Sequence, residues 1–442
     1  MTTEETRAWV VTADMGLGHQ RAAHALADLA YEGILTAGDP AETDADEARL
    51  WRRFRWTYEF LSRAKGVPLV GDAMFALLDS ALQIPPLYPL RDRSKPALNN
   101  WIVDTLLRQG LGRSALERIR TRTLPVLATF YAPALAADRA HCTPVCCVAC
   151  DADLNRVWVA SDPAQSHVRY LAPCGRVMRR LHQYGVPDES IFITGFPLPR
   201  ANLGGPGLET LRADLLRRLA RLDPRGRFSS RYGASVREML GADPPPATSD
   251  PRVTVTFAVG GAGAQVEIGL ALLQALRPGI LDGRFRLALV AGINPQVEQL
   301  FRTAVERAGL TDALDHGVLI VREADKPAYF DRFDALMRET DVLWTKPSEL
   351  SFYSALGIPI VMAPPIGAHE VKNLRWLTDK GAALPQYTPA LALEWLGDML
   401  HDGVLAEKAF SGFLKNRKLG VYKIEEVLRT GTMTRGTHPL ER

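Results

Sequence analysis

Cysteine is scarce in this sequence, with five residues in a chain of 442. An odd and small number of cysteines gives no basis for a disulfide framework. No CxxC pair has a partner pair, so a zinc site is not indicated either. Cys146 and Cys147 are neighbours in a predicted strand and therefore point to opposite faces. The segment CTPVCCVAC is better explained by small core side chains than by a metal site.

The sequence also lacks a strong net charge, a secretory signal and a long apolar run. A formal net charge of +3 argues against a dedicated nucleic-acid binder. The opening residues MTTEETR do not form a signal peptide, and no run approaches the about eighteen apolar residues of a membrane span. We therefore expect a protein of the reducing cytoplasm with no nucleic-acid partner. The remaining profile, 47% hydrophobic and 23% charged, is globular and long enough for two domains.

The first ordered segment is predicted to be a buried strand at 8–13, a loop GLGH and a helix from Gln20 towards Tyr31. Strand, glycine loop and helix form the opening of a doubly wound α/β domain. A dinucleotide fingerprint is incomplete, because Arg21 stands where a small residue is needed and no clear second strand ends in an acidic residue. His19 either faces a ligand or caps its helix.

The stretch from Asp341 to Trp376 organises the second half of the chain. It predicts a strand at 342–344, a turn, a helix from Ser348-Glu349, a buried strand at 359–362 and a helix from about His369. Ser348 can cap the first helix, whose N-terminus would favour a phosphate at the carboxyl end of the strand.

Three polar side chains in this stretch are candidates for binding a nucleotide sugar. Glu349 could accept hydrogen bonds from two ribose hydroxyls, and Glu370 and Asn373, three residues apart, would share one helix face and could bind sugar hydroxyls. Two capped helices with surface polar residues are the competing interpretation.

The segment KPSEL…ALGIPIVMAPPIGAHEVKN resembles the donor-binding segment of GT-B glycosyltransferases. The similar group includes MurG, monogalactosyldiacylglycerol synthase and processive diacylglycerol glucosyltransferases. In that group a glutamate holds the ribose and a Gln/Glu…Asn pair holds the donor sugar, roles that fall on Glu349, Glu370 and Asn373. GLGHQRAA is similar to the group's GGGH loop, and Trp158 and the TGFP strand match further positions.

The resemblance covers most of residues 8–430 and implies an α/β, GT-B fold with two Rossmann-like doubly wound domains facing across a cleft. The expected order is an acceptor-binding domain at 1–200, with a membrane- or acceptor-facing insertion at about 50–110, and a linker at 201–250. A donor domain at 251–405, a C-terminal helix at 406–430 returning to the first domain and a disordered tail at 431–442 would follow.

A second strand–glycine–helix unit, VTVTFAV followed by GGAGAQ, would bring backbone N–H groups to a diphosphate. The group has serine or threonine in this loop and this chain does not, so a side-chain phosphate contact is in doubt. The predicted donor-binding residues are Gly260, Gly261, Gly263, Gln265, Arg322, Lys346, Ser348, Glu349, Glu370 and Asn373.

The resemblance implies a hexosyltransferase that moves a sugar from a UDP-sugar to a lipid or other amphipathic hydroxyl, with inversion and without a metal or other cofactor. The base would be Asp151 or His19, both after strands of the first domain; we place Asp151 slightly ahead and expect both to matter. Gly16 and Gly18 would let the acceptor approach. A UDP-sugar 2-epimerase and a non-catalytic nucleotide-sugar-binding protein are the alternatives.

Residues 51–65 interleave aromatic and basic side chains, among them Trp51, Phe54 and Trp56 with Arg52 and Arg53. Such a helix suits a lipid headgroup layer and equally suits an ordinary helix with a basic face. The lipid-glycosylating members of the group carry a similar insertion, which favours peripheral contact with an anionic inner membrane face.

Overall fold

The computed structural model describes residues 6–63, 84–245, 250–258 and 265–442. The chain divides into two compact units. The first unit comprises Met1–Pro197, Gly367–Lys372 and Leu419–Arg435. The second comprises Leu198–Ile366, Asn373–Lys418 and Gly436–Arg442.

The first unit is built on a parallel sheet of six strands in the order β2-β1-β3-β4-β5-β6. Every residue of β1 and β4 is buried, as expected for a parallel sheet covered on both faces. The order reverses between β1 and β3, where doubly wound sheets bind ligands. The strands are β1 Ala8–Ala13, β2 Ala30–Ala37, β3 Val126–Ala128, β4 Val145–Val148, β5 Val168–Leu171 and β6 Ile191–Phe192.

The α-helices of the first unit are Leu17–His24, Ala45–Arg63, Leu98–Arg108, Arg113–Ile119, Tyr131–Arg139, Gly175–Gln183 and Gly420–Thr430, with 3-10 turns at Ala27–Leu29, Arg156–Trp158 and Asp188–Ser190. The helix predicted from Gln20 towards Tyr31 is wrong in its second half, because Tyr31 lies in β2. The strand was missed since its sequence, AYEGILTA, buries only three residues fully and shows no clean alternation. The lack of a clear second strand is therefore no longer an argument against a dinucleotide site. Arg21 still occupies the position where the dinucleotide fingerprint needs a small residue.

The helix Ala45–Arg63 corrects part of the membrane interpretation. Trp51 and Phe54 are buried in the first unit, and Trp51 donates a hydrogen bond of 3.0 Å to Glu47. Gly38, at φ +80°, passes so close to the Trp51 ring that any side chain there would collide with it. These two aromatic rings are core residues and are not available to lipid. Residues 64–83 of the insertion predicted at about 50–110 lie outside the described residues.

The second unit contains another parallel sheet of six strands, in the order β12-β11-β10-β7-β8-β9. Its reversal falls between β7 and β10. The strands are β7 Val253–Ala258, β8 Phe285–Gly292, β9 Val318–Arg322, β10 Val342–Thr345, β11 Ile360–Met362 and β12 Ala383–Pro385. The predicted fold class, α/β of the GT-B type with two Rossmann-like doubly wound domains, is confirmed.

Helices cover this sheet too. They are Arg200–Leu203, Glu209–Leu222, Arg227–Leu240, Val266–Leu281, Pro295–Arg307, Lys326–Glu339, Ala368–Asp379, Ala392–His401 and Val404–Lys415, with 3-10 segments at Thr311–Ala313, Glu349–Leu356, Pro389–Leu391 and Pro439–Glu441. The first turn of Ala368–Asp379 groups with the first unit.

The linker prediction at 201–250 is wrong. Two helices, Glu209–Leu222 and Arg227–Leu240, fill most of that range and belong to the second unit. Leucines recur at helical spacing in the first of them and are buried, although arginines between them obscure the pattern: Leu211, Leu215, Leu219 and Leu222. Arg218 is buried as well and donates to the carbonyl of Thr340 at 2.7 Å. Residues 246–249 lie outside the described ranges.

The C-terminal prediction needs two corrections. The single helix expected at 406–430 is two helices, Val404–Lys415 and Gly420–Thr430, separated by a turn that holds the buried Lys418. The tail expected to be disordered is ordered, because the guanidinium of Arg442 donates to the Leu414 carbonyl at 2.9 Å and its own carbonyl accepts from the Lys418 amide.

Candidate functional site

His19 lies at the switch point of the first sheet. Gly16, at φ +111°, ends the turn after β1 and begins the helix Leu17–His24, which carries Gly18 and His19. The imidazole Nδ1 of His19 lies 2.9 Å from the carbonyl oxygen of Thr129, the residue after β3. Because a carbonyl only accepts, Nδ1 must carry the hydrogen, and in the neutral ring Nε2 carries the lone pair. His19 therefore presents Nε2 as its proton-accepting atom.

Aromatic rings surround this histidine. The ring centroid of His19 lies 4.9 Å from that of Phe130 and 5.8 Å from that of Trp158, and Tyr131 lies 5.3 Å from Trp158. All three aromatic residues are buried. Phe130 and Trp158 fix the plane of the imidazole and reduce its contact with water, and Tyr131 packs behind them. Of these, Trp158 was singled out through the resemblance; the run TFY, which directly follows β3, was the signal that would have pointed to the others.

Asp151 follows β4 at the same edge of the sheet and is half-buried. β4 is two strands from β1, which separates their ends by about 10 Å. Its neighbour in the motif DAD has another role: Asp153 is buried and accepts from Nε of Arg176 at 3.0 Å and Nε of Arg180 at 2.7 Å. Of the two aspartates in that motif, Asp153 is therefore the structural one.

The predicted core role of the cysteines is confirmed for the pair in β4. Cys146 and Cys147 are buried, and all five cysteines are free thiols. Burial raises the pKa of the Cys146 thiol to about 12, so it stays protonated at neutral pH.

In the second unit the switch point brings Lys346, Ser348 and Glu349 to the end of β10. The helix predicted there is a 3-10 helix, Glu349–Leu356, and Ser348 makes no side-chain cap, which corrects the expectation of a capped α-helix. All eight residues of this helix are buried, and Gly412 of the helix Val404–Lys415 packs against its backbone so closely that a Cβ would meet the Ser354 carbonyl at 2.5 Å. Glu349 is thus held in a buried environment at the strand end, not in an exposed first turn.

The next helix, Ala368–Asp379, carries Glu370 and Asn373, and both are buried. The Asn373 amide donates to the Pro347 carbonyl at 3.2 Å, which ties this helix to the turn after β10. Glu370 accepts from the Gly367 amide at 3.4 Å. Burial of both side chains contradicts the surface-polar interpretation, because polar groups cost free energy to bury and are retained where they have partners.

Two further candidate donor residues, Gln265 and Arg322, differ in their distance from the others. Gln265, at φ +67°, begins the helix Val266–Leu281 after β7 and donates to the Pro364 carbonyl at 2.9 Å, so it joins the loops after β7 and β11. Arg322 ends β9, three strands from β10 and therefore about 14 Å away, and its Nε lies 3.9 Å from Glu298. The structure does not bring Arg322 to the other candidates. The predicted Gly260, Gly261 and Gly263 lie outside the described residues.

Comparisons with known proteins bear on this geometry. Residues 301–426 match a domain of unknown function, DUF6938, over less than half of the chain. A processive diacylglycerol beta-glucosyltransferase of Bacillus pumilus is 24% identical over 251 residues, covering 56% of this chain and 52% of that protein. The same enzyme of Bacillus licheniformis is 30% identical over 105 residues, covering 23% of this chain and 26% of that protein. The chain thus spans about half the length, or less, of these relatives.

The similarity to these two enzymes confirms the resemblance to this glycosyltransferase group. Among solved structures, the chain is similar to a UDP-GlcNAc 2-epimerase from Neisseria meningitidis at a TM-score of 0.47, 11% identity and coverage of 96% of this chain and 97% of the other. MurG of Acinetobacter baumannii is similar at a TM-score of 0.45, 13% identity and coverage of 96% and 99%.

The segment that resembles the group's donor motif, with Lys346, Glu349 and Asn373, lies within the residues matched by the family model. Across the described ranges, no helix combines the length and the apolar character that crossing a bilayer requires.

Proposed function

We propose that this protein is a glycosyltransferase that moves a hexose from a UDP-sugar to a lipid or other amphipathic hydroxyl, with inversion. The similarity to processive diacylglycerol beta-glucosyltransferases carries the proposal. The two switch points support it, because each presents polar side chains of the required kind at the carboxyl ends of parallel strands.

The donor is assigned to the end of β10 and the helix that follows β11. In this proposal the buried Glu349 accepts two hydrogen bonds from the ribose, and the buried Asn373 and Glu370 provide an amide and a carboxylate for sugar hydroxyls. Buried polar groups held in place by backbone contacts, as Asn373 is by Pro347, distinguish similar sugars better than mobile ones do.

The base is assigned to His19, ahead of Asp151. The acceptor oxygen attacks the anomeric carbon as the bond from that carbon to the diphosphate oxygen breaks. The bonding pair leaves with UDP, and the acceptor proton passes to Nε2 of His19. The Thr129 carbonyl stabilises the imidazolium through Nδ1–H. Asp151 stays a candidate for orienting the acceptor at the same edge.

An amphipathic acceptor is supported by exposed apolar side chains of the first unit. Trp56 and Trp101 are each 66% exposed, and Tyr88, Leu90 and Leu98 are exposed as well. Exposed apolar side chains that form a contiguous patch mark a binding surface, whereas scattered ones do not. We place the enzyme in the cytoplasm with peripheral contact at the inner membrane face.

The decisive experiment is a product assay. Purified protein is incubated with radiolabelled UDP-glucose and diacylglycerol in mixed micelles, with and without EDTA, and the lipids are separated. A labelled glycolipid that forms equally with EDTA supports a transferase that needs no metal. Epimerised UDP-sugar without glycolipid would replace the transferase with an epimerase. Tight UDP binding without either product would support the alternative of a non-catalytic nucleotide-sugar-binding protein.

A further inference from the structure

Five arginines line one cavity of the second unit. The cavity, of about 460 Å³, is walled by Arg217, Arg221, Arg252, Arg286 and Arg338, which come from two helices, the segment before β7, and β8. Thr254, near the start of β7, also lines it. The candidate donor residues follow the opposite ends of the strands, so the length of β7, roughly 16 Å, separates the two places.

The arginines of this cavity outnumber the carboxylates that pair with them. Arg217 and Arg338 share Asp214, and the Arg338 Nε lies 3.0 Å from it. Arg221 pairs with the buried Asp341 at 2.8 Å.

The remaining two arginines have exposed partners. Arg252 pairs with Asp250 at 2.7 Å and Arg286 pairs with Glu339 at 2.9 Å. Arg218 lies behind the wall and bonds to backbone carbonyls. The five guanidinium groups of the wall against four carboxylates leave one surplus positive charge at this cavity, in a chain whose total is only +3.

Several N–H groups in the wall are accessible to a ligand. The side chain of Arg338 is 46% exposed, and Glu339, the partner of Arg286, is 61% exposed. Ion pairs with such exposed carboxylates are weak, so an incoming anion can displace them. Guanidinium groups bind phosphate oxygens through two parallel hydrogen bonds, and several of them facing one space suit an anion with several phosphates.

We propose that this cavity binds a compact polyphosphate anion, either the phosphate chain of a nucleotide or a free polyphosphate. The cavity volume lies within the range of small-molecule sites. The inference does not depend on the proposed transferase activity, because none of the residues that carry it belongs to the candidate donor or base sites.

Isothermal titration calorimetry of the full chain tests the proposal, with sodium tripolyphosphate and, separately, ATP at constant ionic strength. The double variant Arg286→Gln/Arg338→Gln should bind tripolyphosphate at least tenfold more weakly than wild type. The matched control is Arg284→Gln/Arg302→Gln, which removes the same charge from exposed arginines paired with Asp282 and Glu298 outside the cavity. This control should stay within twofold. Equal binding of ATP and tripolyphosphate indicates that phosphates suffice, and tighter ATP binding indicates a nucleotide.

The variant Glu349→Ala separates the cavity from the candidate donor site. Tripolyphosphate binding should persist in Glu349→Ala. Loss of binding in Glu349→Ala, with the arginine variant unaffected, would move the anion to the donor site and overturn the proposal. Absence of saturable binding to wild type, or equal weakening in the control, would overturn it too. If the double variant fails to fold, the same titration with Arg286→Gln alone tests the proposal. The ion-pair partner of Arg286, Glu339, is exposed, so the loss of this pair costs little stability.

Discussion

At the residue scale, one backbone carbonyl determines which nitrogen of His19 can take a proton. Replacing the ring removes the proposed base, so His19→Ala should lower turnover by about 10²-fold or more while UDP affinity stays near wild type. The measurement is initial rate of glycolipid formation together with UDP calorimetry. His24→Ala, on the same helix, is the control and should retain turnover. Full turnover in His19→Ala would make the histidine structural.

The two aspartates of the motif DAD should behave differently from each other. Asp151→Asn is expected to lower turnover by about 10²-fold with little change in stability. Asp153→Asn instead leaves Arg180 buried without its charge partner and should lower the free energy of unfolding by about 3–5 kcal/mol. Urea unfolding and the product assay together separate the two. A stability loss in Asp151→Asn of similar size would remove it from the candidate site.

Glu349 is the residue through which the donor prediction is most directly tested. Glu349→Ala should weaken UDP binding by about 1–3 kcal/mol, as for a lost hydrogen bond to a charged group. The exposed Glu394→Ala is the matched control for charge. Replacement of Glu370 or Asn373 should instead reduce discrimination among UDP-sugars while UDP alone binds normally. Unchanged UDP affinity in a folded Glu349→Ala would exclude this residue from the donor site.

The buried Lys418 should make the free energy of unfolding depend on pH. Its ammonium is buried and donates to the carbonyls of Phe413 at 2.5 Å and Asn416 at 3.0 Å, and burial lowers its pKa from 10.5 to about 7. Between these values the unfolded chain binds the extra proton, so the free energy of unfolding rises as pH rises from about 7 towards 10. The contribution between pH 7 and 9 should be about 1–3 kcal/mol. Urea titrations at both pH values should show this rise in wild type and lose it in Lys418→Met; parallel profiles would contradict the assignment.

At the element scale, the sequence predicted those parts of the fold that rest on local patterns. The run VVTA of β1, the VTVTF of β7 and the strand–turn at Lys346 were each placed correctly, because short apolar strands next to glycine or proline have few alternatives. β2 was missed because its half-exposed residues gain their strand geometry from pairing with β1, a long-range contact. The 3-10 geometry of Glu349–Leu356 likewise depends on packing against Gly412, which no local pattern contains.

The buried positions of the candidate site could be predicted only in part. The sequence identified Glu349, Glu370 and Asn373 through a resemblance, and the structure adds that all three are buried. The contact from His19 to Thr129 joins residues 110 apart in sequence, so spacing alone could not predict it.

The helix Glu209–Leu222 offers a test of whether this range is part of a domain. Leu215 is fully buried and packs against Gly357, whose Cα approaches too closely for any side chain. Leu215→Ala should therefore lower the free energy of unfolding by about 2–5 kcal/mol. The exposed Leu281→Ala should change it by less than about 0.5 kcal/mol. A negligible effect of Leu215→Ala in urea unfolding would restore the linker interpretation.

At the scale of the whole molecule, the proposed contact with a lipid surface depends on exposed side chains of the first unit. Trp56 and Trp101 are exposed and Arg52 and Arg53 are exposed beside Trp56, whereas Trp51 and Phe54 of the same helix are buried. The exposed set combines apolar rings with positive charge, which suits peripheral binding to an anionic bilayer without a spanning segment. The sequence alone could not separate the exposed from the buried rings.

Sedimentation with vesicles of phosphatidylglycerol and phosphatidylcholine at low salt tests this surface in the full chain. Each exposed arginine near an anionic membrane contributes about 1 kcal/mol, so Arg52→Gln/Arg53→Gln should reduce the bound fraction and make it insensitive to salt. Trp56→Ser/Trp101→Ser should reduce binding to anionic vesicles while preserving its salt dependence, because it removes the apolar contribution alone. Leu281→Ser/Leu300→Ser, exposed residues of the second unit, should bind as wild type does. If wild type ignores anionic vesicles at low salt, or if the control releases the protein equally, the membrane surface is wrong and the case for a lipid acceptor rests on the relatives alone.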